Sequence, residues 1–422
     1  MKILYLAHRI PYPPNKGDKI RSFNEIKYLS KSHQIDLICL ADHKNDLRYK
    51  KNLEKYCNRV FVLPFNTVFA KIKGIASLLK GNSISAGYFY FKKAQQIFNQ
   101  WIAETQYHAI ICFSSPMAEY IFRSKIFQFP GLPASQPPNL PASQPMLVMD
   151  FCDVDSDKWR QYSQQVRFPL NLIYRMEHRR LLQYEKKINQ TFDRSIFVSQ
   201  QEADMFSELY PDAKNVEVIA NGVDYEYFSP EPFGREPSAV SLQSPILLFT
   251  GAMDYHANID GVKWFCEDIW PLIKDSHPGI QLYIVGSNPH RNVLEMRKKD
   301  GVRVTGFVED TRPYYNMADV CVIPLRLARG IQNKVLEAMS MEKPVVTTTT
   351  AIQGIQTEPG EHLLVADTPE DFTKAIKLLL NNPGLKERLG NKARQFVKKM
   401  HNWPDNIIKL GSLIGVPKID SF

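Results

Sequence analysis

At 422 residues the chain is too long for one hydrophobic core, so two domains of roughly 200 residues each are expected. With 44% apolar and 23% charged residues the composition is that of a soluble globular protein. No apolar run approaches the ~20 residues that span a bilayer, which excludes a transmembrane helix. Met1 leads directly into an apolar strand, so no signal peptide is expected and the chain is placed in the cytoplasm.

The net charge of +9 is unevenly spread. Residues 1 to 100 carry 18 Lys and Arg against 6 Asp and Glu, whereas residues 241 to 422 carry 22 against 20. An excess this local points to an acidic partner for the first domain. No nucleic-acid motif accompanies it. From Arg59 to Lys93 the cations are interleaved with Phe, Tyr and Leu, which fits peripheral contact with an anionic inner membrane; solvated charge that only aids solubility is the alternative. Cys39, Cys57, Cys112, Cys152, Cys266 and Cys321 are scattered, with no C-x-x-C pair, and no histidines form H-x-x-x-H. They read as reduced core residues, and no metal site or cofactor is expected.

Strand-like runs alternate with helical periods along the chain, which predicts α/β parallel sheets with helices on both faces. The first sheet is read from residues 2–7, 35–40, 60–64, 109–113, 147–151, 195–199 and 216–220. Between its fourth and fifth strands the hexapeptide LPASQP occurs twice, and residues 132–145 are expected to form a disordered surface loop lengthened by repeat expansion; a proline-rich recognition segment is the alternative. A polar, Pro-containing linker is expected at 231–245. The second sheet is read from 246–250, 281–286, 302–306, 320–324, 344–348 and 362–366. Thus 1–230 and 246–402 form two Rossmann-like domains, and 403–422 a terminal helix.

Ligands of parallel sheets bind at the carboxyl ends of strands. In the first domain the turn from Ala7 to Lys19 is long and Pro-rich and opens a helix from Ile20. Gly17 there can bring backbone close to a substrate, while Lys16, Lys19 and Arg21 can answer negative charge. G-x-G-x-x-G is absent, which argues against a dinucleotide-dependent dehydrogenase. Asp150 and Asp153, with Lys158 and Trp159, suit a sugar acceptor, because carboxylates take hydroxyls and aromatics stack on sugar faces. An acidic cap on the next helix is the plainer reading. A D-x-D metal site is set aside, since the nucleotide features all lie after residue 245.

In the second domain Gly251 ends a strand and lets backbone approach a pyrophosphate. Asn258 is read as the N-cap of the following helix, and Lys263 as a charge nearby. Gly286 and Gly306 end the next two strands, and Val308 is placed against a base. The run Gly330 to Met339, GIQNKVLEAM, begins as a turn with Gly330, Gln332 and Asn333 and rises into a helix whose apolar members are Val335, Leu336 and Met339. Its start favours a phosphate, Lys334 adds a full charge, and Glu337 lies one turn further in, suited to ribose hydroxyls. An amphipathic helix with one exposed acid is the alternative.

Several blocks in this order carry a resemblance: DRSIFVS at Asp193 to Ser199 with Glu202, VIANGVD at Val218 to Asp224 with Phe228 and Pro230, Gly251, Gly306, VLEAM with Lys343-Pro344-Val345-Val346, and Trp403. Together they resemble glycosyltransferase family 4, of the GT-B fold, over most of the chain. GAMDYHANIDGVKWF, GIQNKVLEAM and DFCDVDSDKW are similar to sugar transferases of PEP-CTERM/exosortase A exopolysaccharide systems. The resemblance implies a nucleotide-sugar donor in the second domain and an acceptor, lipid-linked or a growing saccharide, in the first. It also implies a terminal helix crossing back to the first domain, and transfer with retention of configuration and without a metal.

Three positions depart from the family pattern. Arg329 stands where a second glutamate contacts the donor sugar, Met253 where an arginine holds the diphosphate, and the loop at Ser114-Ser115 lacks the family's histidine. Arg329 and Lys334 are expected to supply the missing positive charge. A sugar-nucleotide 2-epimerase of the same fold and a non-catalytic nucleotide-sugar-binding regulator are the rival functions.

Overall fold

The computed structural model describes residues 1–127, 144–230, 244–328 and 330–415. The repeat loop apart from its last two residues, most of the expected linker, Arg329 and the last seven residues lie outside them. The chain forms two compact units, Met1–Ile219 joined by the chain from Ile407 on, and Ala220–Asn406.

The first unit is built on seven parallel strands: β1 (Lys2–Ala7), β2 (Gln34–Ala41), β3 (Arg59–Pro64), β4 (Ala109–Phe113), β5 (Met146–Cys152), β6 (Arg194–Phe197) and β7 (Val216–Val218). Their order is β3-β2-β1-β4-β5-β6-β7. Because helical crossovers cover both faces, the central strands are continuous apolar runs with no polar side to offer water. Ile3 through Ala7 and Ala109 through Cys112 have no exposed surface. Leu4, Leu6, Ile38, Ile110, Met149 and Phe197 centre one core, closed by Phe98, Tyr120 and Phe206 from the helices. Burying each such side chain contributes about 1.5–3 kcal/mol.

The second unit has six parallel strands, β8 (Ile246–Thr250), β9 (Gln281–Val285), β10 (Val302–Gly306), β11 (Val320–Ile323), β12 (Val345–Thr347) and β13 (Leu364–Val365), in the order β10-β9-β8-β11-β12-β13. The chain reverses its direction of travel across the sheet between β8 and β11, the switch point at which doubly wound sheets open a crevice. Each unit is thus a Rossmann-like sheet.

The boundary differs from the sequence expectation. Residues 220–230 were assigned to the first domain, but belong with the second unit. Val223 N–H donates to His401 O at 2.8 Å, and the Asn221 carbonyl accepts from His401 Nδ1 at 3.0 Å. A Cβ on Gly222 would stand 2.7 Å from Trp403 N and 2.8 Å from its ring, so only glycine fits there. Arg394 bonds the carbonyls of Phe228, Tyr225 and Ser340 and the Ser229 hydroxyl. The second unit ends at Asn406 and the first resumes at Ile407, within the helix Trp403–Leu413.

All six cysteines are free thiols, five of them buried. Burial pushes Cys57, Cys266 and Cys321 up to about 12, so they remain protonated core residues. Among the described residues no helix is long and apolar enough to cross a membrane.

Candidate functional site

In the second unit the loops after β8, β9 and β10 are laced together by their backbones. Gly251 N–H donates to Val285 O at 3.0 Å, Met253 N–H to Ser287 O at 2.8 Å and Gly286 N–H to Gly306 O at 3.2 Å. A Cβ on Gly286 would lie 1.6 Å from the Gly251 carbonyl oxygen, which makes glycine obligatory at that crossing. Gly251 in turn faces two side chains. A Cβ on it would stand 2.7 Å from Asn258 Nδ2 and 3.0 Å from Lys334 Nζ.

Asn258 is not the N-cap that the sequence suggested. Tyr255 holds that position, without a side-chain bond, for the helix His256–Trp264. Asn258 sits inside the first turn, 4% exposed, where Nδ2 donates to Ala252 O at 2.8 Å and Oδ1 accepts from Lys334 Nζ. It ties the β8 loop to the helix Asn333–Ser340. Lys263 is also misplaced by the sequence reading: it lies in the last turn of its helix, against Glu267 at 3.9 Å.

The helix Asn333–Ser340 buries Val335, Leu336 and Met339, as its spacing predicts, with Gln332 at the N-cap. Gln332 Nε2 donates to Gly330 O at 3.3 Å, which closes the turn. Asn333 Oδ1 is buried and meets no hydrogen-bond partner among the described residues. Lys334 is half-buried, its ammonium 4.6 Å over the Phe249 ring. Loss of water pushes its pKa down to about 7, although Glu337 works the other way. Glu337 is held above the usual carboxylate range by burial, with Tyr315 and Lys334 opposing that rise.

Two residues escaped sequence reasoning. Tyr315, on the helix Arg312–Met317, is 1% exposed; its hydroxyl lies 2.8 Å from Thr250 Oγ1 and donates to Glu337 Oε2 at 3.1 Å. Thr250 precedes Gly251, so adjacency to the strand-end glycine was a usable signal. Tyr315 offered none. The structure thus joins Gly251, Asn258, Gly286, Gly306, Gly330, Gln332, Lys334 and Glu337 into one neighbourhood at the β8 and β11 switch point. Val308 is half-buried in the loop after β10, beside the exposed Phe307.

In the first unit the helix begins at Gly17 rather than Ile20, with Lys16 exposed at its N-cap. A side chain at Gly17 would meet nothing within 4 Å. Arg21, read as answering a ligand's charge, is instead 1% exposed and internal. Its Nε donates to Asp150 Oδ2 at 2.7 Å and lies 3.0 Å from Glu25 Oε1, and its NH1 donates to Ile219 O at 2.7 Å. The same network corrects the reading of Asp150, which has no exposed surface and is held by Arg21 and by Cys152 N–H at 3.0 Å. It orients Arg21 and cannot meet a sugar.

Lys158 bridges Asp153 at 2.9 Å and Asp155 at 3.0 Å, so an ammonium sits between the carboxylates of the D-x-D stretch. Trp159 is half-buried against Tyr174, ring centroids 5.0 Å apart. Close by, the Val154 N–H donates to Glu202 Oε2 at 2.7 Å; burial pushes Glu202 up to about 7. The Ser114-Ser115 loop has no histidine of its own, yet His8 from the end of β1 stacks on Phe113 with ring centroids 5.9 Å apart. His8 Nε2 lies 3.4 Å from Asp18 Oδ2. Burial would raise Asp18, but bonds from His8 and Arg9 hold it well below the usual carboxylate range.

Comparison with known proteins follows this geometry. Residues 244–382 match the family model described as Glycosyl transferases group 1. A Klebsiella pneumoniae protein described as an uncharacterized 44.6 kDa protein in the cps region is 23% identical over 408 residues, 92% of this chain and 93% of that one. Among solved structures, sucrose-phosphate synthase from Thermosynechococcus elongatus superposes with a TM-score of 0.71 at 19% identity, covering 98% of both chains. HepE of Anabaena, solved with UDP and glucose, gives 0.66 at 15%, again over 98% of both. The structural likeness gives the chain the GT-B fold, and the match to the Glycosyl transferases group 1 model lies within the second unit.

Proposed function

We propose that the chain is a retaining, metal-independent glycosyltransferase of family 4. It moves a sugar from a nucleoside diphosphate donor held by the second unit to a lipid-linked or growing saccharide held by the first. The carrying observation is the Lys334 ammonium, half-buried beside Gly251 at the start of a helix, with Glu337 one turn behind it on Tyr315. A half-buried cation whose hydrogen bond goes to the neutral Asn258 amide, and whose pKa loss of water pushes down to about 7, gains from an anion beside it. A diphosphate restores its charge, the helix start adds donors to the same anion, and Gly251, having no side chain, leaves it room. Glu337, steadied by Tyr315, accepts from the ribose hydroxyls, while Gly286, Gly306 and Val308 border the base.

In this reading catalysis is positioning plus stabilisation of charge on the departing diphosphate, which takes the acceptor proton. Lys334 supplies part of that stabilisation. Arg329 supplies the rest, an assignment that rests on its sequence position. Gly17 and Lys16 bring backbone and charge to the acceptor side, with Asp153, Lys158 and Trp159 as its polar and aromatic contacts. Exopolysaccharide synthesis of the PEP-CTERM/exosortase type is supported by the sequence blocks and by the cps-region relative, and the site of action is the cytoplasmic face of the membrane.

The test is thermal stabilisation by UDP, GDP, ADP and dTDP of the wild type and of Glu337→Ala. A ligand at ~100 times its dissociation constant adds ~2.7 kcal/mol. One nucleotide should stabilise the wild type and fail on the variant. If none stabilises the wild type, the donor site is wrong; if the variant responds equally, the role of Glu337 is.

A further inference from the structure

The helix Thr67–Leu79 is built inside out. Its buried positions, Ala70, Gly74 and Leu78, are small or single, whereas Val68, Phe69, Ile72, Ile75 and Leu79 are exposed, Phe69 by 61% and Leu79 by 83%. Positions 68, 72, 75 and 79 recur at one-turn spacing, so the apolar residues form one outward stripe along the helix. Single exposed leucines need no explanation; a contiguous stripe on one helix does.

The cations frame this stripe. Lys71 and Lys80 are exposed on its two margins, while Lys73 is turned inward over the Phe91 ring and bonds the Tyr90 carbonyl. Between Glu54 and Glu104 the chain has seven Lys and Arg and no acidic residue.

A second helix that touches Thr67–Leu79 repeats the pattern. Leu170–Thr191 exposes Leu172, Ile173 and Met176 near its start, after Phe168 at 76%, with Arg175, Arg179 and Arg180 following on the exposed side. Its one acid in this half, Glu177, is buried and spent internally, accepting from Ser83 Oγ at 2.8 Å, Ile84 N at 2.6 Å and Ser85 N at 3.0 Å. Those bonds tie Leu170–Thr191 to the start of the helix Ile84–Phe89, which packs on Thr67–Leu79, and Gly81 lies against the Arg180 guanidinium.

We propose that this face, the outward stripe of Thr67–Leu79 with the first turns of Leu170–Thr191, is the surface by which the first unit seats on an anionic bilayer. Apolar side chains enter the acyl boundary while Lys71, Lys80, Arg175 and Arg179 meet lipid phosphates. Charge selects this occupant. A second copy of the face would bring cation against cation, and a protein partner would have to pair an acid-free surface at every margin. The inference locates the membrane contact contained in the function proposed above and rests on that reading for its side of the membrane only.

The experiment is flotation of the full chain with phosphatidylcholine vesicles, with and without phosphatidylglycerol. Wild type should float with the anionic vesicles and be released by salt. Phe69→Ser with Leu79→Ser should lower partition at least about tenfold, since two large apolar groups leave the bilayer. Lys71→Gln with Lys80→Gln should lower it roughly 25-fold, at about fivefold per charge. All variants should keep the wild-type melting temperature and nucleotide response, because the altered side chains are exposed. No flotation of wild type would overturn both the membrane contact and its location. Flotation that every variant retains would overturn the location alone. Self-association of wild type abolished by Phe69→Ser would make the face a protein interface and refute the proposal. None of these results bears on nucleotide binding.

Discussion

Each unit places a cation one turn from a carboxylate on a helix, and the two pairs are settled in opposite ways. Arg21 is enclosed with Glu25 and Asp150 and bonds a backbone carbonyl as well. Lys334 has one amide oxygen, an aromatic face and a carboxylate a turn away, and folding depresses its charge. A buried cation held by two carboxylates and a carbonyl is part of the scaffold, whereas one held by a single neutral amide beside glycine backbone is a place for an anion. Residue type alone does not distinguish the two; the count of acceptors around each does.

The largest effect should come from the closed network. Arg21→Met leaves Glu25 and Asp150 without their counter-charge and should cost about 3–5 kcal/mol of stability, read from the denaturant midpoint of the first unit. A loss below about 1 kcal/mol would mean that the network is not the scaffold. Glu337→Ala comes next, weakening nucleoside diphosphate binding by about 1.5–3 kcal/mol in calorimetry with the ligand-free midpoint nearly unchanged. Equal affinity for wild type and variant would remove the asymmetry between the units.

The third test is pH. Lys334 carries its charge below about 7 and loses it above. Nucleotide affinity should therefore fall by up to about tenfold per pH unit above 7, and Lys334→Met should flatten that profile. Ligand-free stability runs the other way. Between about 7 and the ordinary lysine range the unfolded chain holds a proton that the folded one does not, so stability rises with pH across that window. The smallest effect is Tyr315→Phe, which removes one bond to Glu337 and should weaken nucleoside and nucleoside diphosphate alike by about 0.5–1.5 kcal/mol. A loss confined to the diphosphate would place Tyr315 at the phosphates instead.

The strands were legible because buried parallel strands are uninterrupted apolar runs; β1, β4 and β8 match their sequence limits to the residue. Short edge strands were read too long, as at β7 and β13, where fewer neighbours sustain pairing. The helix carrying Lys334 and Glu337 was legible from its period. What a polar side chain faces was not. Asp150 at a strand end looks the same in sequence whether it meets solvent or Arg21, more than a hundred residues away. Tyr315 stands beside Tyr314 in a short helix, and only the fold turns one of the two toward Glu337. The boundary near residue 220 was missed because the polar stretch after Pro230 is the obvious compositional break, while the bonds to His401 and Arg394 come from the far end of the unit.

Those bonds carry a consequence for cutting or recombining the chain. A nucleotide-binding fragment begun in the polar stretch after Pro230 would keep every strand of the second sheet and still lose the cover over Trp403, the partners of Arg394 and the parallel bridge between Val223 and Asn402. Fragments and chimeras joined ahead of Asn221 should fold where those joined after Pro230 fail. The seam at which this protein can exchange halves with a relative therefore lies upstream of the place where its sequence appears to come apart.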